Sequence, residues 1–212
     1  MTRPLGLLLS CFDYSPVAAD EFHDWYDTEH IPERRRVPGF LDCRRWLGAD
    51  RNAVSVTTYD LSSIEVLRSP GYLAIGYENN SPWTRRVGWR CIKLVRMEAE
   101  QIVPGNQMPP PGAGALLIRA INLESVFATE VAGWFAAHAA SLAAVPGFQC
   151  GRLFHAAAGT HQYAALYHFD ALENATSPEW RELSEAPWNA SVAPHARDNV
   201  DLLASRYVRT AA

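Results

Sequence analysis

The chain has 212 residues, of which 48% are hydrophobic and 20% are charged, and it carries a formal net charge of −4. This is the composition of a globular protein, and the acidic balance argues against nucleic-acid binding, which needs an excess of Lys and Arg on one face. No apolar stretch reaches the roughly 18–20 residues that cross a bilayer, so we expect neither a nucleic-acid nor a membrane partner.

The first half of the chain alternates between strand and helix patterns. In chain order it predicts a strand at 5–12, a helix at 17–36, strands at 40–47 and 53–59, a broken helical stretch at 62–87 and a strand at 90–97. The helix ends at Pro38-Gly39, a pair typical of turns. The order β-α-β-β-α-β is that of a ferredoxin-like unit.

The second half repeats the first at an offset of 108 residues. Val37-Pro38-Gly39-Phe40 recurs as Val145-Pro146-Gly147-Phe148, and the same offset aligns His30 with His138. It also aligns Arg44 with Arg152 and Tyr59 with Tyr167. The repeat predicts strands at 115–121, 148–155, 162–169 and 201–208, with helical stretches at 126–144 and 171–197. A repeat of this length indicates duplication of one structural unit.

Three consecutive prolines, Pro109-Pro110-Pro111, lie between the copies and favour an extended linker. We therefore predict an N-terminal half at 1–103, a linker at 104–114 and a C-terminal half at 115–212. A four-stranded sheet with helices on one face leaves its other face to be covered. The predicted fold class is α+β, with two tandem ferredoxin-like halves packed sheet to sheet as an intramolecular α+β barrel.

Candidate functional residues are densest on the first helix. His23, Tyr26 and His30 are spaced i, i+3 and i+7 and so share one face, while Trp25 and Glu29 share an adjacent face. The helix ends or kinks at the proline that follows, and a histidine at a helix C-terminus is favoured in its protonated form.

The C-terminal half keeps only the histidine of this group. Trp134, Phe135 and Ala137 stand where the first half has Tyr26, Asp27 and Glu29. We therefore expect the chemistry to lie in the N-terminal half. A structural role for the shared histidine, as a helix cap, remains an open alternative.

Residues 25–32, Trp-Tyr-Asp-Thr-Glu-His-Ile-Pro, and the following Val37-Pro38-Gly39-Phe40 resemble the signature of EthD-like proteins in the dimeric α+β barrel superfamily. The motif covers about residues 21–40, and the resemblance in fold covers both halves. The superfamily includes cofactor-free monooxygenases, lactone isomerases, polyketide cyclases and dehydratases, and haem enzymes. The resemblance implies a pocket between the sheet and the helices of each half, with the histidine of the first helix, His30, on its lining.

The leading hypothesis is a cofactor-independent enzyme that moves protons in dehydration, isomerisation or cyclisation of a small apolar aromatic, polyketide-like or lactone substrate. His30 would act as general acid or base near neutrality, Tyr26 would bind a developing enolate or phenolate, and Glu29 or Asp27 would orient the imidazole. Candidate substrate contacts are Trp25, His23, Trp83 and Arg44, although both tryptophans are also expected to pack. A non-catalytic small-molecule-binding or stress-type protein and a cofactor-free monooxygenase are the alternatives.

The sequence also gives expectations about metal binding, cellular compartment and oligomeric assembly. No two of His155, His161, His168 and His195 are spaced as ligands on one helical face, so we expect no metal. The four cysteines are widely spaced in strand-like segments, which is typical of small buried hydrophobes in a reducing cytoplasm: Cys11, Cys43, Cys91 and Cys150. The short apolar run at 5–9 lacks a following cleavage site and does not match a signal peptide. The duplication is compatible with a monomeric pseudo-dimer or a homodimer.

Overall fold

A closed barrel of eight antiparallel strands forms the centre of the protein, and the computed structural model describes residues 3–209. The strands are β1 (Gly6–Asp13), β2 (Phe40–Gly48), β3 (Val54–Leu61), β4 (Ile92–Val103), β5 (Ala115–Leu123), β6 (Phe148–Gly159), β7 (Tyr163–Phe169) and β8 (Ala196–Tyr207). Around the barrel they follow the order β1-β3-β2-β8-β5-β7-β6-β4.

The helices lie outside the barrel. They are α1 (Ala19–Trp25), α2 (Ile31–Arg35), α3 (Pro70–Leu73), α4 (Pro82–Val87), α5 (Ser125–Ala128), α6 (Val131–Ser141), α7 (Pro178–Trp180) and α8 (Ala186–Ser191). A π-helical turn joins α1 to α2 at Tyr26–His30, and another joins α7 to α8 at Arg181–Glu185. Within residues 3–209, no helix has the length and apolar character needed to span a membrane.

The barrel contains two four-stranded groups with the same internal order. The first runs β4-β1-β3-β2 and the second runs β8-β5-β7-β6, so each places its fourth strand beside its first. Backbone pairing of β2 with β8 and of β4 with β6 joins the groups at both edges. The expected α+β barrel is present, and its halves are joined edge to edge by hydrogen bonds.

Side chains that alternate along the strands separate one central core from two outer cores. Leu7, Leu9 and Cys11 of β1 point into the barrel, where they join an apolar cluster drawn from all eight strands. Leu8 and Tyr59 point outward into a cluster beneath the helices of the first half. A separate outer cluster lies beneath the helices of the second half.

The duplicated Pro-Gly pairs act as the predicted turns. Gly39 and Gly147 adopt φ values of 98° and 72°, which are accessible to glycine at little cost. Each glycine directly precedes the second strand of its half.

Strands at the two junctions between the halves, where β2 pairs with β8 and β4 pairs with β6, are longer than the sequence predicts. β4, β6 and β8 each have 12 residues, and β8 begins at Ala196, inside the segment expected to be helical. Half of the β4 residues that follow Met97 are polar or charged, so this part of the sequence shows no apolar strand pattern. It is held as a strand by pairing with β1 and β6.

A proline follows each π-helical turn. In the first helical segment, the π-helical turn changes which side chains share a face. Proline clashes with the carbonyl four residues back, and the wider turn bonds the N–H of Ile31 to the carbonyl of Tyr26, five residues back. The expectation that His23, Tyr26 and His30 share one continuous face is therefore wrong. The extra residue in the turn directs these side chains to different surroundings.

Candidate functional site

A cavity of about 630 Å³ lies between the outer face of the barrel and the helices of the first half. Its barrel side consists of Leu8, Ser10, Phe12, Tyr59, Cys91, Lys93 and Arg96, and its helical side of Trp25, His30, Arg34, Tyr72, Tyr77, Asn80, Thr84, Gly88 and Trp89. Its volume lies within the range of about 300–1,000 Å³ that is usual for small-molecule sites. Both its position and the presence of His30 agree with the sequence expectation.

His30 is half-buried on the cavity lining, at the end of the π-helical turn. The centroid of its ring lies 4.5 Å from that of Trp25 and 5.1 Å from that of Tyr26. Its Nδ1 is buried and has no hydrogen-bond partner among the residues that the structure describes. A buried polar atom without a partner is costly, so this atom is a candidate for contact with a ligand or ordered water.

The pKa of His30 is lowered well below its ordinary value, first by burial and then by the positive charges of Arg34, Arg96 and Arg45. The imidazole is therefore neutral at neutral pH, which is the form that a general base requires, and the same burial and charges make it a weaker base than a free histidine. The expectation of a protonated ring, and of acid and base roles balanced near neutrality, is wrong. Desolvation and three guanidinium groups outweigh the helix dipole.

The charged residues on the cavity lining are Arg34, Lys93 and Arg96, and all three are cationic. Arg34 is only 3% exposed, and its Nε has no hydrogen-bond partner within residues 3–209. Arg34 is therefore buried, although it lies near the end of a helix, where arginines are usually solvated. Its spacing of four residues from His30 was the sequence signal that places both on one side of the helix.

Tyr59 lines the cavity where the sequence hypothesis expected Tyr26. Its hydroxyl is buried and unpartnered among the described residues. Burial raises its pKa well above the ordinary value, so the phenol remains protonated at neutral pH. The sequence aligned Tyr59 with Tyr167 but did not identify it as a site residue.

Tyr26 is fully buried outside the cavity lining. The guanidinium carbon of Arg45 lies 4.5 Å from the centroid of its ring, and burial is the main cause that raises its pKa. The structure therefore places Tyr26 behind His30, as a packing partner of the imidazole.

His23 and Asp27 lie together on another side of the helix, with Arg45. Arg45 Nη1 donates to Asp27 Oδ1 at 2.7 Å, and its Nη2 lies 2.9 Å from His23 Nδ1. Tyr207 donates to Asp27 Oδ2 at 3.1 Å and its ring stacks on His23. Neither His23 nor Asp27 lines the cavity, and Asp27 is not the group that orients His30.

Glu29 and Trp25 connect the first helix to α4. Ser81 Oγ, which caps α4 by accepting from the Thr84 N–H at 2.9 Å, donates to Glu29 Oε1. Trp25 Nε1 donates to Thr84 Oγ1 at 3.0 Å. Trp25 lines the cavity as expected, whereas Glu29 accepts a hydrogen bond from the residue that caps α4.

Trp83 and Arg44 lie away from the cavity lining. Trp83 packs against the outer core of the first half. Arg44 bonds to Asp42 at 2.6 Å and donates to the carbonyls of Pro109 and Pro110. The structure thus gives Arg44 a role in holding the segment at 104–114, because its guanidinium is occupied by these contacts.

In the second half, a buried arginine stands at the position that corresponds to Ser10. The register with β3 and β7 places Ser10 and Arg119 at equivalent positions on β1 and β5. Arg119 is buried, and its guanidinium carbon lies 4.9 Å from the centroid of the Trp188 ring. His138 is also buried there, stacked on Trp134, and its pKa is lowered to about 4, chiefly by burial.

Neither a metal centre nor a reactive thiol emerges from the described residues. Within residues 3–209 no group of three or more His, Cys, Asp or Glu side chains is arranged to hold a metal ion. All four cysteines are free and buried, and burial raises the pKa of the Cys91 and Cys150 thiols to about 11. Such thiols are poor nucleophiles at neutral pH.

Solved structures share this fold at low sequence identity. An anthrone oxidase-like protein aligns with a TM-score of 0.70 and 13% identity, covering 97% of this chain and 92% of that chain. A provisionally assigned monooxygenase from Lactobacillus acidophilus NCFM aligns with a TM-score of 0.57 and 9% identity, covering 96% of this chain and 94% of that chain. A variant chlorite dismutase from Candidatus Nitrospira defluvii aligns with a TM-score of 0.56 and 11% identity, covering 98% of this chain and 92% of that chain.

At 9–13% identity, these similarities show a shared fold. No family model and no curated protein sequence matches the chain.

Proposed function

We propose that the protein is a cofactor-independent enzyme of the EthD-like type, built from two tandem ferredoxin-like halves, that removes a proton from a small aromatic substrate. The observation that carries the proposal is a neutral, half-buried His30 on a cavity whose charged lining residues are all cations. A neutral imidazole is a general base, and nearby cations stabilise the anion that deprotonation creates.

The lining favours an aromatic substrate with an acidic proton. Aromatic rings form much of the wall: Phe12, Trp25, Tyr59, Tyr72, Tyr77 and Trp89. Phenols and enolisable aromatic ketones combine a flat apolar ring system with an oxygen that becomes negatively charged when a proton leaves. The anthrone oxidase-like neighbour is named for a substrate of this kind, a tricyclic enolisable ketone.

In the proposed step His30 takes the proton from the substrate C–H or O–H, and the charge collects on the substrate oxygen. Arg34 and Arg96, which also pair with Glu33 and Glu98, stabilise that oxygen by their charge, and Tyr59 is a neutral donor on the cavity lining. Return of the proton to a different carbon gives isomerisation, loss of a hydroxyl group with the proton gives dehydration, and attack of the carbanion on a carbonyl gives cyclisation. All three reactions share the first step.

A cofactor-free monooxygenase is the second candidate, and the likeness to an anthrone oxidase-like protein and a provisionally assigned monooxygenase favours it. Here the same carbanion would be oxidised by molecular oxygen. A ring CH₂ becomes C=O; one oxygen atom enters the product, and the other leaves as water with the two hydrogens. The substrate supplies all the electrons, so no reductant is required.

The test uses anthrone as substrate with three proteins: the natural chain, His30→Gln, and His138→Gln as the matched control in the second half. Deuterium exchange at the CH₂ group, followed by NMR under nitrogen, reports the proton abstraction alone. We expect exchange to fall by about 10²–10⁴-fold in His30→Gln and to be unchanged in His138→Gln. Equal exchange in all three folded proteins would overturn the assignment of His30.

Oxygen uptake in air separates the two candidates, since only the monooxygenase consumes one O₂ for each anthrone converted. Binding of the natural protein to anthrone with neither exchange nor oxygen uptake would identify it as a small-molecule-binding protein instead.

A further inference from the structure

Lys93 is the only lysine in the chain, and its side chain is exposed on the lining of the cavity of about 630 Å³. The other two cations on that lining have acidic partners. Arg34 bonds to Glu33 at 2.6 Å, and Arg96 lies 3.6 Å from Glu98. The ammonium group of Lys93 has no ion-pair or hydrogen-bond partner among residues 3–209. Its charge is therefore available to a ligand.

A β-bulge turns Lys93 toward the cavity. Residues three apart on a regular strand point to opposite faces, and Arg96 already points outward from its position opposite Ser10. The register of β4 against β1 shifts between Cys11 and Phe12, so that Phe12 lies opposite Lys93. The extra residue in β4 brings Lys93 to the same face as Arg96, and bulges often direct a side chain into a site in this way.

Lys93 and His30 lie toward opposite ends of the cavity. The barrel side of the lining follows β1 from Leu8 to Phe12. Leu8 lies opposite Tyr59, whose ring centroid is 6.4 Å from that of His30, whereas Phe12 lies opposite Lys93. At about 3.3 Å for each residue, these two strand positions are about 13 Å apart. A ring system with its acidic proton at His30 therefore extends along β1 toward Lys93.

The second half has acidic residues at the positions of both cations on β4. An offset of 105 residues aligns the Pro-Trp pair at 82 and 83 with the pair at 187 and 188. The same offset puts Asp198 at the position of Lys93. It puts Asp201 at the position of Arg96, and there the carboxylate lies 3.4 Å from Arg119 Nε. The cations on the last strand are therefore specific to the half whose histidine lines the larger cavity.

We propose that Lys93 binds a carboxylate on the aromatic substrate, at the end remote from the acidic proton. The inference rests on the proposed function and names its substrate class, an aromatic carboxylic acid. The ammonium group offers a compact positive charge and three N–H donors. One unpaired cation matches the single charge of a carboxylate better than the double charge of a phosphate. Arg34 and Arg96 then serve the charge that develops near His30.

The experiment is titration calorimetry of the full chain with 2-naphthoate and with 2-naphthamide, which has a similar shape and no charge. We expect the natural chain to bind 2-naphthoate at least about tenfold more tightly, since only this ligand makes a charge-assisted contact. Lys93→Met should remove the preference by weakening 2-naphthoate alone. Lys93→Arg should keep the preference, because the positive charge remains. Circular dichroism checks that each variant is folded.

Two further variants locate the contact. Arg86→Gln removes an exposed cation of the same half that does not line the cavity, and it should leave the preference unchanged. Arg96→Gln removes another lining cation, and its effect on the preference should be smaller than that of Lys93→Met.

A direct readout comes from reductive methylation with ¹³C-formaldehyde, which labels the lysine amine and keeps its charge. Because the chain has one lysine, a single lysine side-chain signal is followed by NMR. We expect this signal to shift saturably with 2-naphthoate and to stay in place with 2-naphthamide.

Equal affinity for the two ligands in the natural chain would overturn the proposal, as would failure of 2-naphthoate to bind. A preference that persists in Lys93→Met, or that falls further in Arg96→Gln, would overturn it as well. None of these results bears on proton abstraction, which deuterium exchange in His30→Gln reports separately. Conversely, unchanged exchange in His30→Gln would leave the carboxylate contact of Lys93 intact.

Discussion

Arg152 in the C-terminal half donates a hydrogen bond to Asp60 in the N-terminal half, and both side chains are fully buried. Asp60 stands on β3 in alternation with the inward-pointing Val54 and Val56, so the pair lies on the inner side of the barrel wall. It is an ion pair between the halves, 92 residues apart in sequence. The apolar surroundings make each charge dependent on the other.

We expect Asp60→Asn to lower the free energy of unfolding by about 3–5 kcal/mol, because it leaves the Arg152 guanidinium buried without a counter-charge. Urea denaturation at pH 7 measures this. The double variant Asp60→Asn/Arg152→Met should recover much of the loss, because no unpaired charge then remains. Glu21→Gln is the control, since it breaks an exposed pair with Arg86 and should cost at most about 1 kcal/mol. Equal losses in Asp60→Asn and Glu21→Gln would contradict the inferred role of burial.

Stability should fall as the solution is acidified below about pH 6.5. The pKa of His138 is lowered from 6.5 to about 4 in the folded chain, so the unfolded chain binds more protons between these values. The resulting contribution is present above pH 6.5 and is lost as the pH falls to about 4, on the order of 3 kcal/mol. His30 and His168, whose pKa values are also lowered, act in the same direction.

Urea denaturation between pH 7.5 and 4.5 measures this dependence. His138→Gln should flatten it, whereas His155→Gln, which changes an exposed histidine, should not. An unchanged slope in His138→Gln would show that other groups cause the acid sensitivity.

The residue at position 10 should decide whether the cavity beside His30 is open. Ser10 and Arg119 occupy equivalent strand positions, and the buried arginine stacks on Trp188 in the second half. We therefore expect Ser10→Arg to abolish binding of an aromatic anion such as 2-naphthoate, while Ser10→Ala retains it. Calorimetric titration measures the affinity, and undiminished binding by folded Ser10→Arg would place the ligand elsewhere.

Arg44 should affect stability without affecting ligand binding. Its guanidinium holds the carbonyls of Pro109 and Pro110 together with Asp42. Arg44→Gln is expected to lower the free energy of unfolding by about 1.5–3 kcal/mol, the usual size of a lost charged hydrogen bond. The affinity for 2-naphthoate should be unchanged; a large loss of affinity at unchanged stability would restore Arg44 as a ligand contact.

The sequence predicted well those elements that depend on a few neighbouring residues. The Pro-Gly turns, the apolar strands and the first helix depend on backbone chemistry within a few residues, and each was predicted close to its observed position. The ends of β4 and β8 were missed because polar residues there are held by distant partner strands.

The candidate site was predicted only in part. Trp25 and His30 line the cavity as expected, whereas His23, Tyr26 and Asp27 do not. The π-helical turn accounts for this, since one extra residue per turn changes which side chains share a face. Arg34 was missed because a charged residue near a helix end gives no sign of burial.

The sequence by itself indicated the repeated order of strands and helices and placed His30 within the first helical segment. Only the tertiary structure decided that this histidine is neutral. Its protonation state depends on desolvation and on Arg96, a cation 66 residues away in the chain that the barrel brings to the same cavity. Burial and charge act through space, so they become readable only when the distant segments that supply them have been placed together.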